Sequence, residues 1–204
     1  MIKFENTEVC GIGHAIRGMR NAMNSWDKSD SYIDERYNTV HIGENDKSLM
    51  QRLFNAGTDH RKYLRMITVY ADITAPLYWW KEYDTYKVGT TANSCSTMHK
   101  LTAKEFTIED FSFEDCDKWT KDVVCSCIIN ALNINRLKYL ETKDKKLWRQ
   151  MIQLLPTSYN QKRTVMLNYE VLANIYKSRQ GHKLKEWHDF IEWIERLPYT
   201  DIFK

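Results

Sequence analysis

The chain has 204 residues, 43% of them hydrophobic and 13% aromatic, enough to bury a substantial core as a single domain over 1–204 without disulfide or metal staples. Its formal net charge of +3 gives no field strong enough to argue for a nucleic-acid partner. No stretch reaches the roughly 20 apolar residues of a membrane span, and Met1-Ile2-Lys3-Phe4-Glu5 lacks a signal peptide's apolar core, so a cytoplasmic location with reduced cysteines is expected.

In chain order, Ile12, Ile16, Met19 and Met23 recur at helical spacing and predict an amphipathic helix over 11–26. The polar stretch 27–46 reads as a long surface excursion, and Leu49, Met50, Leu53 and Phe54 predict a helix over 47–56 that Gly57 ends. Residues 63–74 alternate and are rich in β-branched and aromatic side chains, which predicts a strand. Pro76 then opens a helix over 76–86, because its missing N–H is not needed in a first helical turn. Gly89–Ser96 reads as a small polar loop whose hydroxyls and amide suit a phosphate, although an ordinary Ser/Thr loop is the commoner source of such a composition.

Residues 117–141 predict a long helix carrying Trp119, Val123, Cys127, Ala131 and Leu137. Helices over 144–154 and 164–179 follow, parted by the break at 155–159, and a last amphipathic helix covers 183–196 before Pro198. The class is α+β, mainly helical with a small sheet. Cys125 and Cys127 point to nearly opposite helix faces and cannot chelate one ion locally, so buried thiols are expected there. The six histidines show no metal-ligand spacing either, and signatures of phosphate-binding loops, dinucleotide folds, zinc hydrolases and nucleophile elbows are absent.

Ala75-Pro76-Leu77-Tyr78-Trp79-Trp80-Lys81-Glu82-Tyr83 resembles the A-P-L-x-x-W-R-Q-W junction of the flavin-dependent thymidylate synthases (ThyX). In that register Thr85-Tyr86-Lys87 stands where the family has R-H-R. The family's downstream serine falls on Cys95 without a gap, or on Ser96 with one inserted residue, which also matches Asn93. His60 lies fifteen residues before Ala75, at the place of the family's flavin-side histidine. Leu155-Pro156, Asn168, Leu172 and Arg179 follow the family's L-P, N-x-x-x-L and L-R pattern, and His182 and Glu186 resemble its H-A-Q-x-E element.

The resemblance implies a ThyX-like fold with an antiparallel-containing sheet in a homotetramer, and Trp79, Trp80, Trp187 and Trp193 are candidate interface anchors. It further implies FAD as cofactor, with NADPH and methylenetetrahydrofolate as co-substrates and a pyrimidine nucleotide such as dUMP as substrate. His60, Lys87, Asn174 and His182 are the implied cofactor contacts, and Glu82, Asn93, Ser94, Ser96 and Arg179 the implied substrate contacts. Arg179 is the catalytic candidate, since a guanidinium is always charged and offers paired planar donors to uracil-like carbonyls. No metal ligand is implied.

The departures weaken the phosphate grip: Glu82, Thr85, Met98 or Thr97, and Ile152 replace a glutamine and three arginines, leaving Lys87, Lys100, Arg163 and the Ser/Thr loop to meet an anion. Three readings stay open, namely an active flavin enzyme, a non-catalytic nucleotide-binding protein, and a structural protein keeping only the fold. Cys95 is either a nucleophile toward a pyrimidine ring or a small inert side chain.

Overall fold

The computed structural model describes residues 2–34, 36 and 39–203. Its elements in chain order are β1 (Lys3–Cys10), α1 (Ile12–Asn21), β2 (Tyr32–Asp34), β3 (Thr39–His41), α2 (Glu44–Asn55), β4 (Thr68–Pro76), α3 (Leu77–Tyr83) and β5 (Thr91–Ser94). There follow α4 (Thr97–Lys100), α5 (Lys118–Val123), α6 (Asn130–Thr142), α7 (Lys145–Leu154), β6 (Asn160–Asn168), α8 (Tyr169–Arg179) and α9 (Lys185–Arg196). The small antiparallel sheet has strand order β1-β4-β6-β5, and β2 and β3 form a separate antiparallel ribbon. No helix of the described residues is long and apolar enough to cross a membrane.

Two compact units organise the chain. The first is built mainly from Ile73–Thr85 and Asn93–Thr164. Its α3 starts where Pro76 ends the strand, and the N–H groups of Leu77 and Tyr78 donate to the carbonyls of Tyr159 and Thr157 at 3.0 Å, satisfying donors that a helix start leaves open. Trp79, Trp80 and Tyr83 on this helix are fully buried against one another, at ring separations of 4.9–5.2 Å. A second cluster joins Leu101, Phe106, Phe111, Ile129, Leu132 and Met151.

The other unit comprises Phe4–Asp72, Tyr86–Ala92 and the chain from Val165 onward. Met50, Tyr63, Leu64, Ile67, Leu172, Ile175, Trp187, Phe190 and Ile194 are buried there, and α9 contributes Trp187, Phe190 and Ile194 from one face at helical spacing. Gly11 has φ 91°, and a Cβ on it would stand 2.2 Å from the Met66 carbonyl oxygen, so no larger residue fits that junction.

Several sequence expectations are corrected. α1 ends at Asn21, five residues early, because the chain turns back there: Ser25 N–H reaches the Arg20 carbonyl and Asn24 adopts φ 47°, a left-handed conformation that no helix continues. The 27–46 excursion is not a plain loop; it holds the β2–β3 ribbon, with Ile33 opposite Val40, and the start of α2. Gly89–Ser96 contains β5, an exposed strand. Residues 164–168 belong to β6, whose Val165 and Leu167 are buried at strand spacing.

The long helix over 117–141 forms, but with a π-helical segment at Val124–Ile129 between α5 and α6. That wider turn shifts the helix phase, so the expected stripe is not the core face: Trp119 is 73% and Leu137 56% exposed, while Ile129 and Leu132 are buried. Cys125 and Cys127 are exposed on it, not buried. Trp79, Trp80, Trp187 and Trp193 are buried within their own chain and cannot anchor a partner.

Candidate functional site

In the second unit, Arg179 is the last residue of α8. Its Nε donates to the Tyr86 hydroxyl at 2.8 Å, and its guanidinium carbon lies 4.4 Å from the Trp187 ring centroid and 5.5 Å from that of Tyr86. The two rings meet edge to face at 6.0 Å, and His182 meets Trp187 the same way at 6.2 Å. An aromatic corner thus holds the cation by cation–π attraction, with the Tyr86 hydrogen bond added. His182 Nδ1 accepts the Leu184 N–H at 3.1 Å, which places the ring proton of the neutral form on Nε2. A cavity of about 300 Å³ borders Arg179, lined also by Tyr176, Gly181, His188 and Glu195.

The turn that delivers Tyr86 is fastened to the start of α8. Asn168 caps that helix by accepting the Val171 N–H at 3.0 Å, and its Nδ2 donates to the Gly89 carbonyl at 3.3 Å. Gly89 has φ 77°, and a Cβ there would lie 2.6 Å from Asn168 Nδ2, so both the conformation and the approach require glycine. Lys87 is exposed on the same turn. Asn168 therefore serves as a helix cap.

Asn174, exposed on α8, accepts from Arg61 Nη2 at 3.2 Å, while Arg61 Nε pairs with Glu170 at 2.9 Å and the guanidinium covers the Phe54 ring at 4.9 Å. The neighbour of His60 thus makes the contact to Asn174. His60 itself is exposed and lines a separate cavity of about 240 Å³ with Met19, Leu53, Tyr63 and Met66.

In the first unit, a polar cavity of about 280 Å³ is lined by Cys95, Ser96, Thr97, Lys100, Lys104 and Gln161, among others. Both candidates for the signature serine position border it. Ser96 Oγ accepts the His99 N–H at 3.1 Å, and the Cys95 backbone is fixed at both ends, its N–H on the Lys162 carbonyl at 2.9 Å and its carbonyl on Gln161 Nε2 at 2.8 Å. Lys104 is paired with Asp110. Burial pushes the Tyr159 phenol up, with the charges of Asp110 and Cys95 adding to it.

Arg163 is committed to the protein: Nε donates to Gln161 Oε1 at 2.9 Å, Nη1 to Asp84 at 2.8 Å, and the guanidinium sits 4.2 Å over the Trp80 ring. Thr85 closes α3 by donating to the Glu82 carbonyl at 2.7 Å, and Ile152 packs on the apolar cluster, so these replacements have become structural. Glu82 is half-buried on α3, and Asn93 and Ser94 are exposed on β5.

The structure brings Arg179 and His182 together, and places Ser96 beside Cys95. Tyr86, Trp187, Arg61 and Gln161 were missed in the sequence; Tyr86 had a signal, standing at the centre of the altered triplet. Among the described residues no group of three His, Cys, Asp or Glu side chains is placed to hold a metal ion.

No protein-family profile matches the chain, and no curated protein matches it in sequence. Solved structures do. ThyX from Helicobacter pylori, crystallised with FAD and dUMP, superposes with TM-score 0.74 at 18% identity, covering 100% of this chain and 97% of that one. A second H. pylori ThyX complex with FAD and dUMP gives 0.71 at 19% identity over 99% and 98%. The UMP/dUMP methylase PolB from Streptomyces cacaoi, bound with 5-Br UMP, gives 0.60 at 14% identity over 96% and 87%. With helices, sheet and end-to-end coverage in agreement, the chain has the fold of the flavin-dependent thymidylate synthases.

Proposed function

We propose that the protein is a flavin-dependent enzyme acting on a pyrimidine nucleotide, in a methylation of the dUMP-to-dTMP type or a related modification. The observation that carries this reading is the Arg179 guanidinium, held by Tyr86 and Trp187 in a fold whose Helicobacter pylori examples were crystallised with FAD and dUMP. Arg179 would hold a ring carbonyl and stabilise negative charge developing there, a task suited to a cation that cannot lose its proton.

FAD fits the donor set in kind. Lys87 offers a cation, Asn174 keeps its amide nitrogen as a donor while its oxygen serves Arg61, and His182 contributes an imidazole beside the Trp187 ring. Bound flavin would supply the electron chemistry, with NADPH and methylenetetrahydrofolate as electron and one-carbon donors. This chain's residues bind and orient. Ser96 and Lys100, in the first unit's cavity, are the remaining candidates for the nucleotide's anionic end, with Glu82, Asn93 and Ser94 as further substrate contacts and His60 as a flavin contact. A homotetramer in the cytoplasm completes the proposal.

One observation favours the second reading, a nucleotide-binding protein without turnover: of the family's arginine positions, Thr85 now closes α3 by a hydrogen bond and Ile152 packs on the apolar cluster, while the nearby Arg163 is tied to Asp84. Two measurements on purified protein separate the readings. The visible spectrum reports oxidised flavin, and calorimetry with dUMP reports the nucleotide site. Colour and binding support the enzyme, binding alone the second reading, and neither rejects both.

A further inference from the structure

In the second unit, α1 and the β2–β3 ribbon border a cavity of about 350 Å³, lined by Ile16, Arg17, Arg20, Trp26, Tyr32 and Ile33 among others. It shares no lining residue with the Arg179 corner or the cavity of the first unit. Its walls are unusual for a surface: Trp26 is 50%, Tyr32 62% and Ile33 57% exposed, so three large apolar side chains left in water surround one hollow. The aromatic walls are also fixed. The Trp26 indole N–H donates to Asn21 Oδ1 at 2.8 Å, and the Tyr32 ring stacks on His41 at 4.8 Å and 17°.

The charge is as specific as the shape. Arg20 is only 5% exposed and donates Nε to Asp46 Oδ1 at 2.8 Å. Asp46 Oδ2 is saturated from elsewhere, accepting from the hydroxyls of Ser29 and Ser31 at 2.7 Å and the N–H groups of Asp30 and Ser31 at 3.2 and 3.1 Å. Arg20 Nη2 is buried and finds no acceptor among the described residues, an expensive state for a charged donor. Arg17, one helical turn away, is exposed at the rim, where its Nη2 lies 3.0 Å from His14 Nδ1.

We propose that this cavity binds a small aromatic carboxylate, its ring against Trp26 and Tyr32 and its carboxylate on Arg17, with Arg20 supplying the buried donor. A guanidinium fork matches a planar carboxylate, and the volume lies at the lower end of small-molecule pockets, which fits one or two fused rings. Among the described lining residues only Arg17 and Arg20 are charged, and Asp46 pairs with Arg20, which leaves Arg17 to meet a monoanion.

Calorimetric titration of the full chain with 2-naphthoate, and with neutral 2-naphthamide as its isostere, tests the proposal. The acid should bind at least about ten-fold tighter than the amide, and Arg17→Gln and Trp26→Ala should each weaken it about ten-fold or more. Both side chains are exposed, so the variants should melt like the parent. No saturable heat at millimolar acid, equal affinity for the amide, or unchanged affinity in both variants would each overturn the proposal. It would equally fail if Trp26→Ala left naphthoate binding intact but changed the oligomer mass by light scattering, since the surface would then be a contact between copies.

Discussion

Arg179 is oriented before any ligand arrives, because the Tyr86 hydroxyl fixes its Nε and the Trp187 face fixes its plane. Arg179→Ala should leave the fold intact and weaken uracil-nucleotide binding by about 10- to 100-fold or more, each charge-assisted bond being worth roughly 1.5–3 kcal/mol. Unchanged affinity by calorimetry would remove this residue from the site. Tyr86→Phe deletes only the acceptor; we predict a loss of about 1 kcal/mol in stability by urea melt and a several-fold weaker nucleotide, since the guanidinium keeps its charge but not its aim. For Cys95 the bland reading is preferred: its backbone is held from both sides whatever the side chain, and Ser96 borders the same cavity. Cys95→Ser should therefore retain nucleotide binding and any turnover. Complete loss of turnover, together with a nucleotide adduct on the parent that the variant lacks by mass spectrometry, would make it a nucleophile instead.

Among the elements, the 27–46 segment depends most on one side chain. Asp46 is fully buried at the start of α2 and gathers five hydrogen bonds. Burial alone would push its carboxyl up, but the hydroxyls of Ser29 and Ser31 and the Arg20 guanidinium outweigh that and hold it below the usual carboxylate range. A lowered folded value means its contribution is complete above the unfolded value of about 4 and is lost as pH falls through the folded one. Asp46→Asn should cost about 3–5 kcal/mol at neutral pH, leaving Arg20 unpaired, and should flatten that acid limb in urea melts. An unaltered acid limb would assign the pH dependence elsewhere. Helices α2, α7 and α9 were legible because period and punctuation agree, as with Gly57 after α2 (φ 103°) and the Asp144 cap of α7, whose Oδ1 takes the Lys146 N–H at 2.8 Å. β1 was not legible, since its alternation is blurred by half-exposed residues on both faces. At the site, the order of Arg179 and His182 along the chain could be matched, whereas the Tyr86 contact spans 93 residues and leaves no local trace.

At the scale of the whole molecule, the expected homotetramer should scatter light as four chains of 24.4 kDa, and a monomer at micromolar concentration would reject it. With the buried tryptophans excluded, the apolar surface best suited to self-association lies on the long helix, where Trp119 and Val123 precede the π-helical segment and Ile134, Leu137 and Leu140 follow it, all exposed. In a regular α-helix Val123 and Ile134 would be aligned within about 20°, eleven residues being close to three full turns. The wider turn adds a residue and rotates one group away from the other by roughly 100°, so one helix presents two patches in two directions. Closed dihedral symmetry needs two kinds of two-fold contact, whereas a dimer needs only one. Deleting Ser126 would merge the patches into one stripe, and the predicted product is a dimer with unchanged helix content.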